Sequence, residues 1–543
     1  MSISVSELEF AHPGAHPLFF DVSFSVSPGE HGAIIGSNGS GKTTLLKILA
    51  RELEADCGNW SLGGTALYMP QDVGMAADLS VRQMLTQLTP PQVRAAGRRL
   101  LAAERAVADG APEAGIELAT AIADWMDIGG YEHEQRWNAA ADRVVKSDID
   151  DLGDRPAADL SGGERKRLVL DVLLNSEADI LLLDEPDNYL DIPARMWLEA
   201  ELAASRKTIL MVSHDRTVLA KAATKIITLE GSSCWVMSGG FGSYRAERER
   251  RQAALGDELQ RWKDEERRLF RHVKIMKQRA AISDGNASKA NAAETRWKRF
   301  VDAGPPPPPV PDQRVRVQLR GADSARRVIK LTDLGIEPLF EPFSDEVYFG
   351  ERIGLIGSNG TGKSHLLDLL FDPTVEYAGE VGFGPRTSVG RFTQVNDRQD
   401  FAAETPLAIM IERIGELERS MKALSRYGLA QAARQPFETL SGGQRARLEI
   451  LCLDIEGHNV LLLDEPTDNL DAESSMALEE ALDSFEGTVV AVSHDRTFLE
   501  KMTRFLLIAD DGSVFDIPDF EMAIAALTNP DDVHDIKRAK LLS

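Results

Sequence analysis

Gly36-Ser37-Asn38-Gly39-Ser40-Gly41-Lys42-Thr43 returns 321 positions later as Gly357-Ser358-Asn359-Gly360-Thr361-Gly362-Lys363-Ser364. The GxxxxGK[ST] spacing needs small residues, because the loop's backbone N–H groups must close around phosphate oxygens. Ile34-Ile35 reads as the end of a strand and Leu45 to Leu49 as the opening of a helix. Phosphate is therefore expected at a helix N-terminus, where the dipole favours anions. Lys42 and Lys363 are expected to reach the β- and γ-phosphates, and the hydroxyls of Thr43 and Ser364 to ligate Mg²⁺. Thr44 and His365 complete the two loops.

Three further motifs repeat in the same order. Leu160-Ser161-Gly162-Gly163-Glu164 returns as Leu440-Ser441-Gly442-Gly443-Gln444, Leu181 to Pro186 (LLLDEP) as Leu461 to Pro466, and Ser213-His214-Asp215-Arg216 as Ser493-His494-Asp495-Arg496. The chain is thus two copies of one large domain, not a short-period solenoid. The offset is 323 at Gln71/Gln394 but 280 at all three later motifs, so the first copy carries 43 additional residues between Gln71 and Ser161. The Ala-, Arg- and Glu-rich stretch RAAGRRLLAAERAVA places this insertion at about 90–140 and reads as helix.

Each motif has a chemical reason. Asp184 and Asp464 end all-apolar runs, as expected of buried parallel strands. A carboxylate at that edge can hold the Mg²⁺ shell. Glu185 and Glu465 come next and are placed to polarise the attacking water as general bases. Ser161-Gly162-Gly163 and Ser441-Gly442-Gly443 are Ser N-caps followed by glycines, which expose backbone N–H groups to an anion. His214 and His494 follow strand-like runs and are expected to contact the γ-phosphate.

Between the copies the composition changes. Residues 242–303 hold 16 Lys/Arg against 10 Asp/Glu, whereas the remainder is strongly acidic and the whole chain of 543 residues carries −25. Leu255, Leu259, Trp262, Glu266, Leu269, Val273, Met276 and Ala280 alternate at spacings of four and three, a heptad-like seam broken only by Glu266. Ser283-Asp284-Gly285-Asn286 supplies a turn, and Ala287, Ala290, Glu294, Trp297 and Val301 continue the pattern on a second helix. An antiparallel helical hairpin is expected, with Trp297 and Met276 in its packing. Pro305 to Pro309 then impose a stiff connector.

Composition bounds the rest. A hydrophobic fraction of 43% supplies two cores, and no stretch reaches the apolar length of a membrane span. The N-terminus does not read as a signal peptide. Cys57, Cys234 and Cys452 are scattered, which suits a reducing cytosol and argues against zinc or iron–sulfur sites. The expected fold class is α/β: two P-loop nucleotide-binding domains in tandem, joined by an antiparallel α-helical hairpin. The boundaries read as 1–241, 242–304 (hairpin), 305–327 (Pro-rich connector) and 328–543.

With these residues in hand the chain resembles the ATP-binding cassette superfamily over almost its whole length, and within it the ABC-F family of translation factors. The resemblance implies that Gln71 and Gln394 are the Q-loop glutamines, near the nucleotide and its Mg²⁺. It makes Asn188 to Asp191 and Asp468 to Asp471 the D-loops. It also implies a head-to-tail sandwich, with Lys42 facing Ser441 across one ATP and Lys363 facing Ser161 across the other. The run Gly239-Gly240-Phe241-Gly242-Ser243-Tyr244 and the start of the second helix, Ser288-Lys289-Ala290, resemble that family's linker. Where the family's D-loops read PTNHLD, the first copy has Asp187 and Tyr189, and the second has Asp468 and Asn469. The adenine-stacking aromatic of the first cassette falls near His12.

The resemblance implies an ATP hydrolase of the cytoplasm, a monomer without a membrane domain whose cassettes pair within the chain. It would bind the ribosome in its ATP-bound state, with the 242–304 linker reaching rRNA, the P-site tRNA and the peptidyl transferase centre. ATP hydrolysis would release it. Two roles stay open: ribosome protection against macrolide-, lincosamide- or streptogramin-type antibiotics, and translation regulation. The competing reading is the ATPase subunit of a tandem-cassette transporter, which leaves the charged hairpin without a use. DNA-repair and ribosome-recycling ATPases of cassette type need cysteine-rich modules or far longer coiled coils.

Overall fold

The apolar runs that end at Asp184 and Asp464 are strands one place in from the edge of two sheets, buried along their whole length in a computed structural model of the chain. It describes residues 2–14, 16–73, 79–111, 114–281, 287–309, 317, 319, 324–372, 376–393, 401, 403–468, 470, 472–529 and 540–542. In the first copy the strand order is Ala66–Met69, Ile180–Asp184, Thr208–Val212, His31–Gly36, Lys225–Glu230 and Ser233–Ser238. All neighbours are parallel except the last pair. The second copy repeats this with Val389–Phe392, Val460–Asp464, Thr488–Val492, Arg352–Ile356, Arg504–Ile508 and Val514–Ile517, and adds Lys540–Leu542 at the edge.

Register decides where the chemistry falls. Asp184 lies opposite Val212, and Val212 lies beside Ile34. The P-loop, Glu185 and His214 therefore emerge together at the carboxyl ends of adjacent strands, where open α/β sheets bind ligands. Asp464, Val492 and Leu355 repeat the arrangement.

Each P-loop helix, Lys42–Leu49 and Lys363–Phe371, is clamped between its central sheet and a three-stranded antiparallel sheet. In the first copy that outer sheet joins Ile3–Ala11 to Pro17–Val26 and Cys57–Leu62. Ile3, Leu8, Phe19 and Val22 meet Leu45, Leu49, Leu182 and Leu210 in one core, and Val328, Leu334, Phe343, Leu366 and Leu462 form its counterpart. Such burial is what fixes the loop at the helix start.

The stretch of the first copy that contains the extra residues folds as helices Pro91–Ala108, Ala114–Asp127 and Gly130–Val145. They pack on one another: Trp125 and Trp137 are both buried, with ring centroids 6.3 Å apart. Gly130 is required there, since a Cβ would come within 2.0 Å of Trp125 Cδ2.

Gly239–Asp312 forms a compact unit of its own, and both cassettes belong to the other unit. The unit contains helices Tyr244–Ala280 and Ala287–Asp302; the turn assigned to 283–286 lies outside the described residues. Thirty-seven residues give the long helix about 55 Å at ~1.5 Å per residue. Leu269, Val273 and Ala290 are buried where the heptad spacing put them; on the second helix Ala293, off that spacing, is buried as well, Ala287 is exposed, and Phe300 stacks on Trp262 with centroids 5.3 Å apart. Trp297 packs against Phe270, and Lys277 bonds Glu294 across the pair at 2.7 Å. Pro309 returns beside the base of the long helix, 4.0 Å from where a Cβ on Gly256 would be.

Candidate active sites

Glycine opens both P-loop helices. Gly41 and Gly362 cap them at φ 95° and 94°, the left-handed region, with Phe19 and Leu339 too close to admit a side chain. Both lysines lie across their own loops: Lys42 Nζ donates to Gly36 O at 2.9 Å and Ser37 O at 3.1 Å, and Lys363 Nζ to Gly357 O at 2.9 Å and Ser358 O at 2.6 Å. Asn38, Gly39, Ser40 and Thr44 in the first copy, and Gly360, Thr361 and His365 in the second, sit where the motif put them, around the helix start. His12 is exposed and packs edge-on against Phe10.

The donors expected for Mg²⁺ pair in the same way twice. Thr43 Oγ1 donates to Asp184 Oδ1 at 3.2 Å, and Ser364 Oγ to Asp464 Oδ1 at 3.2 Å. Asp184 Oδ2 is buried with no hydrogen-bond partner among the described residues. A hydroxyl and a carboxylate are hard oxygen donors, and the described residues hold no cluster of three or more His, Cys, Asp or Glu able to cage a metal. That donor set fits Mg²⁺ shared with substrate phosphates rather than an all-protein site.

Both glutamates adopt positive φ, 48° at Glu185 and 46° at Glu465, a conformation that costs energy in a non-glycine residue. Gln71 Nε2 donates to Glu185 Oε2 at 2.7 Å, and Asn188 donates to the same oxygen. Burial, with Asp187 and Asp184 close by, pushes the Glu185 carboxyl up to about 7. Burial and Asp468 push Glu465 up as well, while Arg195 opposes the rise. The His494 backbone N–H donates to Glu465 Oε2 at 3.1 Å, and its Nε2 lies 3.4 Å from Oε1. Burial, Lys363 and Arg195 hold that imidazole well below its usual pKa, hence neutral. His214 is half-buried at the matching place; Gln394 lies outside the described residues.

Ser161 and Ser441 cap helices Gly162–Leu174 and Gly442–Glu456, each in a reciprocal capping box with Glu164 or Gln444. Across the cassettes, Asn359 Nδ2 donates to Tyr189 O at 3.0 Å, and a Cβ on Gly163 would lie 3.1 Å from that same nitrogen. The second P-loop therefore abuts the first Ser-Gly-Gly turn. Two reciprocal ion pairs support the contact: Arg216 with Glu479 and Arg496 with Glu199, related by the 280-residue offset.

Two buried cations escaped the motif reading. Lys166 Nζ donates to Gln71 O at 3.0 Å and is depressed by burial, with Asp187 and Glu185 opposing. Arg195 is buried between the cassettes, with Asp215 3.2 Å and Asp468 3.6 Å away. At the 280-residue offset the second copy has Ala446 and Ser475. That loss of symmetry is the only signal the sequence carried for them.

Residues 19–188 and 340–468 match the family described as ABC transporter. Over 541 residues the chain is 41% identical to an "Antibiotic resistance protein" of Mycobacteroides abscessus, covering 94% of this chain and 98% of the relative. It is 32% identical to the tylosin resistance ATP-binding protein TlrC of Streptomyces fradiae, over 91% and 94%. It is 27% identical to ABC transporter F family member 5 of Arabidopsis thaliana, over 91% and 73%. Its fold is similar to the archaeal ribosome recycling factor aABCE1 in complex with stalk protein aP1, with a TM-score of 0.54 at 20% identity over 92% of this chain and 87% of that one. Family match, long-range identity and duplicated site geometry agree: the chain is an ATP hydrolase, and it belongs to the ABC-F family of tandem ATP-binding cassette proteins.

Proposed function

We propose that this chain acts on the ribosome from the cytoplasm, with its hairpin as the element that reaches RNA. The observation that carries this is the distribution of charge along the hairpin. From Arg267 to Arg299, the part where the helices pair, there are ten Lys/Arg and only Asp284 and Glu294 as acids. The base, 242–266 with 300–303, has six basic and eight acidic residues. A solvated spacer needs no such polarity, whereas a tip that neutralises phosphates does. Arg271, Lys274, Arg279, Lys289, Arg296 and Arg299 are all exposed. No helix among the described residues is long and apolar enough to cross a membrane.

In this reading ATP binds at two composite sites. One joins Lys42, Asp184 and Glu185 to Ser441, and the other joins Lys363, Asp464 and Glu465 to Ser161. Thr43, Ser364, Asp184 and Asp464 would hold Mg²⁺, which would supply charge neutralisation to the phosphates. Glu185 and Glu465 take the proton of the attacking water, and His214 and His494 contact the γ-phosphate. Filled sites draw the cassettes together and commit the hairpin toward the P-site tRNA and peptidyl transferase centre; hydrolysis releases it. Relatives named for antibiotic and tylosin resistance favour ribosome protection over a housekeeping role in translation.

The test is co-sedimentation with ribosomes at physiological salt. The E185Q/E465Q protein in ATP is expected to pellet with ribosomes far more than wild type. A double variant that binds ATP yet stays in the supernatant would sink the ribosome reading.

A further inference from the structure

The two D-loop departures meet at one guanidinium. Arg195 lies in the first turn of helix Ile192–Ala204, where the helix dipole opposes a cation. It is nevertheless buried. Nε donates to Leu190 O at 2.9 Å, within its own D-loop. Nη1 donates to Asp215 Oδ2 at 3.2 Å and reaches the His494 carbonyl of the other cassette at 3.4 Å. Nη2 faces Asp468 Oδ1 at 3.6 Å, also in the other cassette. Asp187 is buried in the same field, with Arg195 opposing its protonation. So both acidic departures, one from each D-loop, are compensated by a single arginine. Its other two reach points flank Glu465: Asp468 three residues on, and the carbonyl of His494, whose N–H binds the Glu465 carboxylate.

The second cassette has no arginine at the matching position. The offset position is Ser475, and Thr467 stands where the first cassette has Asp187. Among the described residues, no arginine of the second cassette is placed against the Glu185 site as Arg195 is against the Glu465 site.

We propose that Arg195 is a positioning residue that acts in trans, fixing the Glu465–His494 pair of the second cassette from the D-loop helix of the first, so that the two ATP sites turn over unequally. The proposal rests on the reading of Glu185 and Glu465 as the two bases. A guanidinium fork can hold a carboxylate and a carbonyl in one plane, and fixing both sides of a general base sets its aim at the water.

Steady-state ATP hydrolysis of R195S, R195K and R195S/D187T tests it, each in E185Q and in E465Q. R195S in E185Q, where only the Glu465 site works, is expected to lose about tenfold or more in kcat with KM nearly unchanged. The same change in E465Q is expected to cost less than about twofold. R195K, which keeps charge but not the fork, falls between. R195S/D187T recreates the Ser475/Thr467 pair and leaves no uncompensated Asp187, so it separates misfolding from misplacement; its kcat is expected to stay low in E185Q. Equal losses in both backgrounds, a rise in KM alone, or no loss in E185Q would overturn the proposal. An E185Q protein inactive before Arg195 is touched would instead overturn the assignment of Glu465 as an independent base, and the inference with it.

Discussion

Replacing Glu185 and Glu465 together by Gln lowers ATP turnover by about 100-fold to 1000-fold and leaves ATP bound. Gln keeps the side-chain volume and can still accept from Gln71, whose Nε2 lies 2.7 Å from the Glu185 carboxylate. What it loses is the ability to take a proton. Both positions are strained, at φ 48° and 46°, and that strain persists only because the strand end and the following turn hold the backbone. Burial that lifts Glu185 to about 7 also makes it a better base than an exposed carboxylate. Phosphate release together with filter binding of labelled ATP reads both halves of the result. Turnover within a few-fold of wild type would mean that these glutamates are not the bases.

Lys363→Ala empties one site and spares the other. Its Nζ is buried and held by two loop carbonyls, so the loop is built around the cation. Burial depresses its pKa, and Glu465, Asp191 and Asp464 oppose the fall. Asp191 belongs to the other cassette, so the lysine already stands in a field from both halves. Charge-assisted bonds to phosphate are lost with it. Equilibrium dialysis of ATP with E185Q/E465Q is expected to fall from about two nucleotides per chain to about one on adding K363A. Two nucleotides retained at unchanged affinity would contradict the role given to Lys363.

The parts of this molecule that are read locally were legible, and those created by juxtaposition were not. Glycine, Lys and Thr at fixed spacing announce a phosphate loop because backbone geometry is local. An all-apolar run ending in Asp announces a buried parallel strand for the same reason. The 3–4 spacing of Leu269, Val273 and Ala290 announced the hairpin seam, whereas the packing of Phe270 on Trp297 comes from a residue off that spacing. Residues 90–140 read as helix, but their closure around Trp125 and Trp137 did not follow from composition, since the two indoles come from different helices. Arg195 sits in a helix whose sequence gives no hint of a buried cation. Its partners Asp215 and Asp468 are 20 and 273 positions away, and only the pairing of the cassettes brings them together. Asp187 and Asp468 stood out as departures from the family pattern, yet their common cause was invisible until the guanidinium was placed between them.

The central claim is that each ATP is shared, the P-loop of one cassette working with the Ser-Gly-Gly turn of the other. Site-resolved turnover of Ser161→Arg tests it most directly, because Asn359 of the second P-loop lies against Gly163 of that turn. In E185Q, where only the Glu465 site hydrolyses, S161R is expected to remove activity by about 100-fold; in E465Q it is expected to leave at least about half. Loss confined to E465Q would place Ser161 with the P-loop of its own cassette and contradict the shared site.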